Sequence, residues 1–163
     1  IMDARSTSYA KLLDLMKQEK IVIFDAEDGK STDFVNTILK TYRDKYPERN
    51  IWLFIDNFHL LSASSDISGR EKYKEMSGQI KGCAVKYDCT ICCTVEYTKI
   101  PKGEKPNNNN IAESVALEYD ANMIMHMYSE LHSLREKAEL YFDEYGQQYP
   151  IIELSFGKPE IMV

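Results

Sequence analysis

Short apolar runs alternate with longer amphipathic segments along this chain. Runs 21–24, 51–55 and 89–95 have the length of strands and are rich in β-branched or aromatic residues or cysteine. Run 51–55 is apolar throughout, which predicts a strand buried on both faces, as in a parallel sheet. Segments 123–128, 138–142 and 151–156 predict further strands.

Helical periodicity occupies the segments between these runs. Four segments are predicted helices: 8–20, 32–46, 70–87 and, for one turn or two, 112–117. Ser31 or Thr32 is the predicted N-cap of the second helix, which should end before Pro47. Alternating strands and helices predict an α/β layered domain with a mostly parallel sheet and no internal repeat.

The composition is that of a globular domain, and the net charge restricts how the chain could bind nucleic acid. The 163 residues are 44% hydrophobic and 28% charged, enough for one domain or part of a larger one. A net charge of −6 argues against a uniformly basic nucleic-acid surface but leaves room for a local basic loop. No apolar run approaches the ~18 residues of a membrane span. The opening Ile1-Met2 and the lack of a signal peptide suggest an excised fragment of a cytoplasmic protein, with a motif missing upstream.

The cysteines and histidines give no sign of a metal site. Cys83, Cys89, Cys92 and Cys93 lack the paired spacing of zinc ligands, so we expect buried, reduced thiols rather than zinc or disulfides. The three histidines, His59, His126 and His132, lie far apart in sequence and are expected in core or surface roles.

The strongest candidate for chemistry is Asp56 in "IWLFIDNFHLL", directly after a buried strand. Ligands of α/β sheets bind at the carboxyl ends of strands, and P-loop nucleotidases hold Mg²⁺ with such an aspartate. An ordinary Asp-Asn turn at a strand end is the alternative.

The segment "FDAEDGKS" invites comparison with a phosphate-binding loop, which requires G-x-x-x-x-G-K-[ST]. Phe24 stands at the first glycine position, and three intervening carboxylates would repel a triphosphate. The segment is therefore predicted to be an acidic turn followed by a helix cap.

Residues 99–110, called the lysine loop below, contain Lys99, Lys102 and Lys105 and end in four consecutive asparagines. Lysines on a loop suit a phosphate backbone, because nonspecific contact with nucleic acid is mostly electrostatic. A solvated surface loop without a ligand is the alternative.

The order of these segments resembles the DnaB-like replicative DNA helicases with their RecA-like ATPase domain. "IWLFIDNFHLL" is similar to that family's Walker B strand, and "KEMSGQIKGCAVKYDCTICCTVEYTK" to the helix and strand that follow it. "NIAESVALEYDANMIMHMY" is similar to the family's D-L-R-E-S-G-x-I-E-Q-D-A-D-x-I-x-x-x-Y, and "IELSFGKPE" to its late strand. The resemblance covers about residues 20–160.

The resemblance implies a role for each matching residue. Asp56 would hold Mg²⁺-ATP through water, and Glu96 stands where the family has a glutamine that senses the γ-phosphate. The lysine loop would face single-stranded DNA in the channel of a ring. Lys158 would reach a neighbouring subunit's nucleotide.

Three departures from the family pattern put a working ATP site in doubt. Glu96 is acidic where an amide is expected, Ala112 replaces an arginine, and Glu160 replaces the trans-acting arginine. A carboxylate cannot neutralise transition-state charge as such an arginine does. Residues 129–149 resemble an insertion, and the phosphate loop and catalytic glutamate would precede Ile1.

The resemblance implies an α/β, RecA-like partial domain spanning 1–163, with a mostly parallel sheet flanked by helices and antiparallel strands toward the C-terminus. The whole protein would be an ATP-driven hexameric DNA helicase of a bacterium, phage or mobile element, with primase or a loader as a further partner. This fragment alone should be inactive. A catalytically degenerate RecA-like interaction or loader module is the alternative, and an unrelated Rossmann-like domain is a weaker one.

Overall fold

The computed structural model describes residues 2–65, 67–101, 104–112 and 114–157. The chain divides into two compact units, residues 1–30 and 31–163. Within the described residues, no helix combines the length and the apolarity that crossing a bilayer demands.

The first unit contains helix α1, Met2–Lys17, and a following turn. The helix begins earlier and ends earlier than predicted, and Glu19 behind it has a positive φ of 51°. The predicted strand at 21–24 is wrong, because these residues are irregular and Ile23 is 61% exposed. A strand needs a hydrogen-bonding neighbour, and the described residues supply none for this run.

The second unit opens with two helices and two strands in alternation. They are α2 (Thr32–Lys45), β1 (Trp52–Ile55), α3 (Gly69–Lys86) and β2 (Thr90–Cys93). The Ser31 side chain accepts a hydrogen bond from the backbone N–H of Phe34, which confirms the predicted cap. Strands β1 and β2 pair in parallel, with Ile55 opposite Cys93, as a helical crossover requires.

The core lies between α2, α3 and one face of the parallel pair. Its buried residues are Val35, Leu39, Phe58, Leu61, Met76, Ile80, Cys83 and Tyr87, with Leu53, Ile55 and Ile91 packed against them. The other face is bare: Trp52 is 64% exposed and Phe54 70% exposed. The prediction that β1 is buried on both faces is therefore wrong for this chain, because the described residues supply a helical layer on one side only.

The second half of the unit is antiparallel. It contains α4 (Ser114–Asp120), β3 (Ile124–Tyr128), α5 (Glu130–Leu134), β4 (Leu140–Phe142), β5 (Gln148–Pro150) and β6 (Glu153–Gly157). β3 pairs with β6, and β4 pairs with β5 in a hairpin. α5 and β5 were not predicted.

The α/β class and the antiparallel strands toward the C-terminus agree with prediction. A mostly parallel sheet does not form among the described residues, where β1–β2 is the parallel pair beside two antiparallel pairs. A parallel sheet grows by adding crossover units, and this stretch of chain supplies one, from β1 through α3 to β2.

Candidate nucleotide site at the carboxyl edge of the parallel pair

Asp56 and Thr94 lie side by side where the two parallel strands end. Each follows the last residue of its strand, and those residues, Ile55 and Cys93, are register partners. The Thr94 hydroxyl donates to Asp56 Oδ1 at 2.5 Å. The Thr94 backbone N–H donates to the Ile55 carbonyl at 3.0 Å, and the Thr94 carbonyl accepts from the Phe58 N–H at 2.9 Å. Backbone hydrogen bonds thus fix the position of the aspartate and the threonine.

A second layer of polar contacts connects this edge to Glu96. Asn57 Nδ2 donates to Glu96 Oε1 at 3.0 Å. The Glu96 N–H donates to His59 Nδ1 at 3.3 Å, and His59 Nε2 lies 3.4 Å from the Ala112 carbonyl. Because an N–H and a carbonyl flank its ring, His59 accepts at Nδ1 and donates from Nε2. His59 therefore joins the strand end to the segment that precedes α4.

The oxygens at this edge fit a nucleotide-bound magnesium ion. Asp56 is exposed and the Thr94 hydroxyl is beside it, and hard oxygen donors are what Mg²⁺ prefers. The described residues contain no cluster of three or more histidine, cysteine or acidic side chains suited to a metal. Mg²⁺ usually keeps several waters and takes one or two carboxylates plus substrate phosphates, so a single Asp with its hydroxyl neighbour fits that mode.

Glu96 does not fit the role of a phosphate sensor. A carboxylate accepts hydrogen bonds and offers no donor to a phosphate oxygen. Its Oε1 already accepts from Asn57, and Asn57 Oδ1 is a buried atom without a hydrogen-bond partner among the described residues. This edge therefore carries two carboxylates and an orphaned amide oxygen, all acceptors.

The segment that resembles a phosphate loop is an acidic turn. Asp25 Oδ1 accepts from the N–H groups of Glu27 at 2.7 Å and Asp28 at 3.3 Å. Asp28 Oδ2 accepts from the Asp25 N–H at 2.8 Å. Three backbone N–H groups of the segment are therefore occupied by its own carboxylates rather than free for a phosphate, in agreement with the predicted acidic turn.

The lysine loop is only partly available as a cationic surface. Lys99 is exposed, whereas Lys105 forms an ion pair with Glu153 on β6 at 2.5 Å and lies 5.8 Å from the centre of the Tyr128 ring. Lys102 and Lys158 lie outside the described residues, as does Glu160. The loop closes at its base, where the Thr98 N–H donates to the Asn110 carbonyl at 2.6 Å.

The four cysteines are free thiols, but burial was predicted for all of them and holds fully for Cys83, whereas Cys92 is exposed. Burial, and next to it the neighbouring Cys92, raises the pKa of Cys93 to about 12. Burial also raises the pKa of Cys83 and of Cys89. Cys92 is exposed on the bare face of β2.

Three polar residues of this region had no assigned role at the sequence level: Thr94, His59 and His126. Thr94 is identifiable once β1 and β2 are aligned in parallel, because it then follows β2 as Asp56 follows β1. The two histidines carry no local signal, since their partners are 18 to 53 positions away along the chain.

The fold of this chain is similar to part of two solved structures. The chain is similar to a DnaB-like replicative helicase, solved in a study of that helicase and its interactions with primase. The TM-score is 0.67 and the identity 19%, over 90% of this chain and 38% of that one. It is also similar to a second solved structure, an ATPase domain, with a TM-score of 0.63 and 18% identity, over 76% of this chain and 47% of that one.

These likenesses confirm the resemblance to DnaB-like helicases at the level of the fold. The chain spans less than half the length of either solved relative. No protein-family model matches the sequence, and no curated protein matches it.

Proposed function

We propose that this chain is part of an ATP-dependent replicative DNA helicase, which couples ATP hydrolysis to movement along single-stranded DNA and to duplex unwinding. One observation carries the proposal. A chain with the fold of helicase ATPase domains has an exposed aspartate at the carboxyl edge of its parallel strand pair, held by a threonine hydroxyl. Ligands of open α/β sheets bind at that edge.

In the proposed motor Asp56 would hold Mg²⁺ through water, and the Thr94 hydroxyl, which donates to Asp56 Oδ1, would keep the carboxylate in place. The ion, when bound with ATP, would neutralise charge on the β- and γ-phosphates. Glu96 is the proposed link between the nucleotide and the lysine loop, through its backbone: its N–H donates to His59, and its carbonyl accepts at 3.0 Å from the N–H of Ala112, two residues after the loop.

The bare faces of the sheets favour a partial domain. Trp52 and Phe54 on β1, and Met125 and Met127 on β3, are all about half exposed or more. Faces of this kind are ordinarily covered in a folded domain. We propose that the phosphate loop, the catalytic glutamate and the strands that cover these faces belong to a longer protein, in which Lys158 reaches a neighbouring subunit's nucleotide.

The likeness to helicase ATPase domains also supports a proposal about partners. We propose a hexameric ring around single-stranded DNA, contacted by Lys99, Lys102 and Lys105, in the cytoplasm of a bacterium or as a phage or mobile-element protein. Primase, with which the solved DnaB-like helicase interacts, or a loader is the proposed further partner. Residues 129–149 are the proposed insertion; β4 lies inside it and pairs, alone among the described strands, with β5 at its end.

A second candidate function is favoured by the acidity of the site. Glu96 offers no donor to a γ-phosphate, and the Lys105 ammonium is paired with Glu153. A degenerate RecA-like interaction or loader module would keep the fold but would no longer hydrolyse ATP. Steady ATP hydrolysis by the longer protein would exclude it.

Charge reversal in the lysine loop tests the DNA contact. Lys99, Lys102 and Lys105 are changed together to Glu, and binding to labelled single-stranded DNA is measured by anisotropy at low and moderate salt. We expect at least a tenfold loss of affinity. The affinity should also depend less steeply on salt, since each phosphate contact contributes about one unit to the slope of log affinity against log salt concentration.

The matched control for this experiment reverses Lys11, Lys17 and Lys74, which are also exposed and change the net charge equally. Equal loss of affinity in the two triple variants would show that overall charge, not the loop, attracts DNA. No loss in the loop variant would remove the loop from the proposal.

A further inference from the structure

A buried histidine joins three parts of the second unit in one chain of hydrogen bonds. His126 in the middle of β3 is 3% exposed. Its Nδ1 lies 2.9 Å from the Tyr97 hydroxyl and its Nε2 lies 2.8 Å from Asn108 Oδ1. Asn108 Nδ2 in turn donates to Glu118 Oε1 on α4 at 2.8 Å. This series of hydrogen bonds begins at Tyr97, one residue after Glu96, and ends at Glu118 on α4.

The chemistry of the partners fixes the proton positions. A carboxylate only accepts, so the Asn108 amide group faces Glu118 and its Oδ1 faces His126. Nε2 of His126 therefore donates, and Nδ1 accepts the proton of the Tyr97 hydroxyl. Burial lowers the pKa of His126 from its ordinary 6.5, which favours the same neutral form. A proton on Nδ1 would leave the Tyr97 hydroxyl without its acceptor.

The last four residues of the lysine loop, 107–110, form a compact unit called the asparagine turn. Asn107 Oδ1 accepts from the Asn109 N–H and Asn110 Oδ1 accepts from the Asn107 N–H, each at 2.9 Å. The turn is therefore closed on itself, and Asn108 is the member that reaches outward to His126 and Glu118.

The network is closely packed against Gly157 at the end of β6. A Cβ atom at this position would overlap Asn108 Oδ1 and lie 2.7 Å from His126 Nε2. Glycine is therefore required here by the close approach of the network. The same addition at Gly82 on α3 would meet nothing within 4 Å.

Few charged groups surround the histidine. Glu118 on α4 is reached through Asn108, and Tyr97 is a phenol. On β6 its register partner is Ser155, and the Lys105–Glu153 pair lies two positions along that strand. None of these groups makes a direct ion pair with the imidazole, so nothing there favours a charged ring.

We propose that His126 is a positioning residue. Through Asn108 it holds the asparagine turn in place, and through Tyr97 it ties that turn to the segment that carries Glu96. Protonation of the imidazole removes the acceptor for Tyr97, while Nε2 still donates to Asn108, so the tie between the turn and the Tyr97 segment weakens as pH falls. Any consequence for nucleic-acid binding rests on the proposed function, whereas the positioning role does not.

Amide hydrogen exchange tests this role without any ligand. Protection factors are measured for the Thr98 N–H, which closes the base of the loop, for the Asn110 and Ile111 N–H groups, which donate to carbonyls of the asparagine turn, and for α3 as an internal reference. The variants are Gly157→Ala, which enters the network without changing its members, and Tyr97→Phe, which removes one hydroxyl. Gly82→Ala is the matched control.

We expect protection at the three loop amides to fall about tenfold or more in Gly157→Ala and Tyr97→Phe, with α3 unchanged. In the unmodified chain the Thr98 amide, next to Tyr97, should lose protection as pH falls below 6.5, because burial lowers the pKa of His126 from that ordinary value. Gly82→Ala should behave as the unmodified chain.

Two outcomes would overturn the proposal. Unchanged loop protection in both test variants would mean that the network does not hold the turn. An equal loss of protection in α3 would assign the network to general stability rather than to the loop.

Discussion

Asp56 and Glu96 occupy the same edge but differ in what surrounds them. Asp56 accepts from a hydroxyl that backbone hydrogen bonds hold at the end of β2. Glu96 accepts from the amide of Asn57, whose oxygen is left buried and unpaired among the described residues. One carboxylate is arranged for a cation, and the other stands where a hydrogen-bond donor would serve a phosphate better.

Substitution Glu96→Gln separates the two candidate functions. The glutamine Oε1 keeps the bond from Asn57, while the substitution adds an amide donor and removes a negative charge from this edge. If the longer protein is a motor, we expect its ATP hydrolysis rate to rise about tenfold, which is about 1.4 kcal/mol of barrier.

The control for this measurement is Glu48→Gln, an exposed glutamate on the connection before β1. A rate that stays at background for Glu96→Gln would favour the degenerate module. An equal rise in the control would mean that the effect reports net charge alone.

His126 predicts a pH dependence of stability. Its pKa is lowered in the folded chain, so the unfolded chain binds the proton more readily. The stabilising contribution is complete above the unfolded pKa of about 6.5 and declines as pH falls toward the lower folded value. Urea unfolding between about pH 7.5 and about pH 5 should show this decline, and His126→Phe should remove it. A slope that persists in His126→Phe would assign the dependence to other groups.

At the scale of elements, local pattern predicted the helices and strands that have internal signals. Capping by Ser31, the stop before Pro47 and the parallel pairing of β1 with β2 all follow from residues adjacent to the elements. Run 21–24 looked like a strand for the same local reasons, yet it has no pairing neighbour among the described residues. Strand formation depends on a distant partner, which a local pattern does not contain.

The site shows the same division. Asp56 was predictable because it ends an apolar run, whereas Thr94, His59 and His126 matter only through distant partners. The ion pair of Lys105 with Glu153 could not be predicted from the sequence either, because the two residues lie 48 positions apart.

Helix α3 supplies the test of the core. Met76 is fully buried between α2 and the parallel pair, and Met76→Ala should lower the free energy of unfolding by about 2–5 kcal/mol through lost burial and a residual cavity. Val85→Ala on the same helix truncates a residue that is 73% exposed, and it should change the free energy of unfolding by under about 0.5 kcal/mol. Similar values for the two variants in urea titrations would contradict the assigned core.

At the scale of the whole molecule, the bare face of the parallel pair predicts a difference between this chain and the longer protein. Cys92 is exposed on that face, whereas the adjacent Cys93 is half-buried with its pKa raised to about 12. In the chain alone, a thiol reagent at about pH 8 should modify Cys92 rapidly and Cys93 slowly, because the thiolate is the reactive form.

In the longer protein the face is proposed to be covered, so Cys92 should become protected at least about tenfold. Peptide mapping distinguishes the two neighbours, with Cys93 as the internal control. Equal reactivity of Cys92 in both proteins would contradict the proposal that further strands cover this face.

The central claim is that Asp56 holds magnesium for a nucleotide in a DNA-dependent motor. The most direct test is steady-state ATP hydrolysis by the longer protein, with and without single-stranded DNA, comparing Asp56→Asn with the surface control Asp44→Asn. The account predicts hydrolysis that DNA stimulates, a loss of about a hundredfold or more in Asp56→Asn, and no change in Asp44→Asn. Undiminished hydrolysis in Asp56→Asn, or none in the unmodified protein, would contradict it.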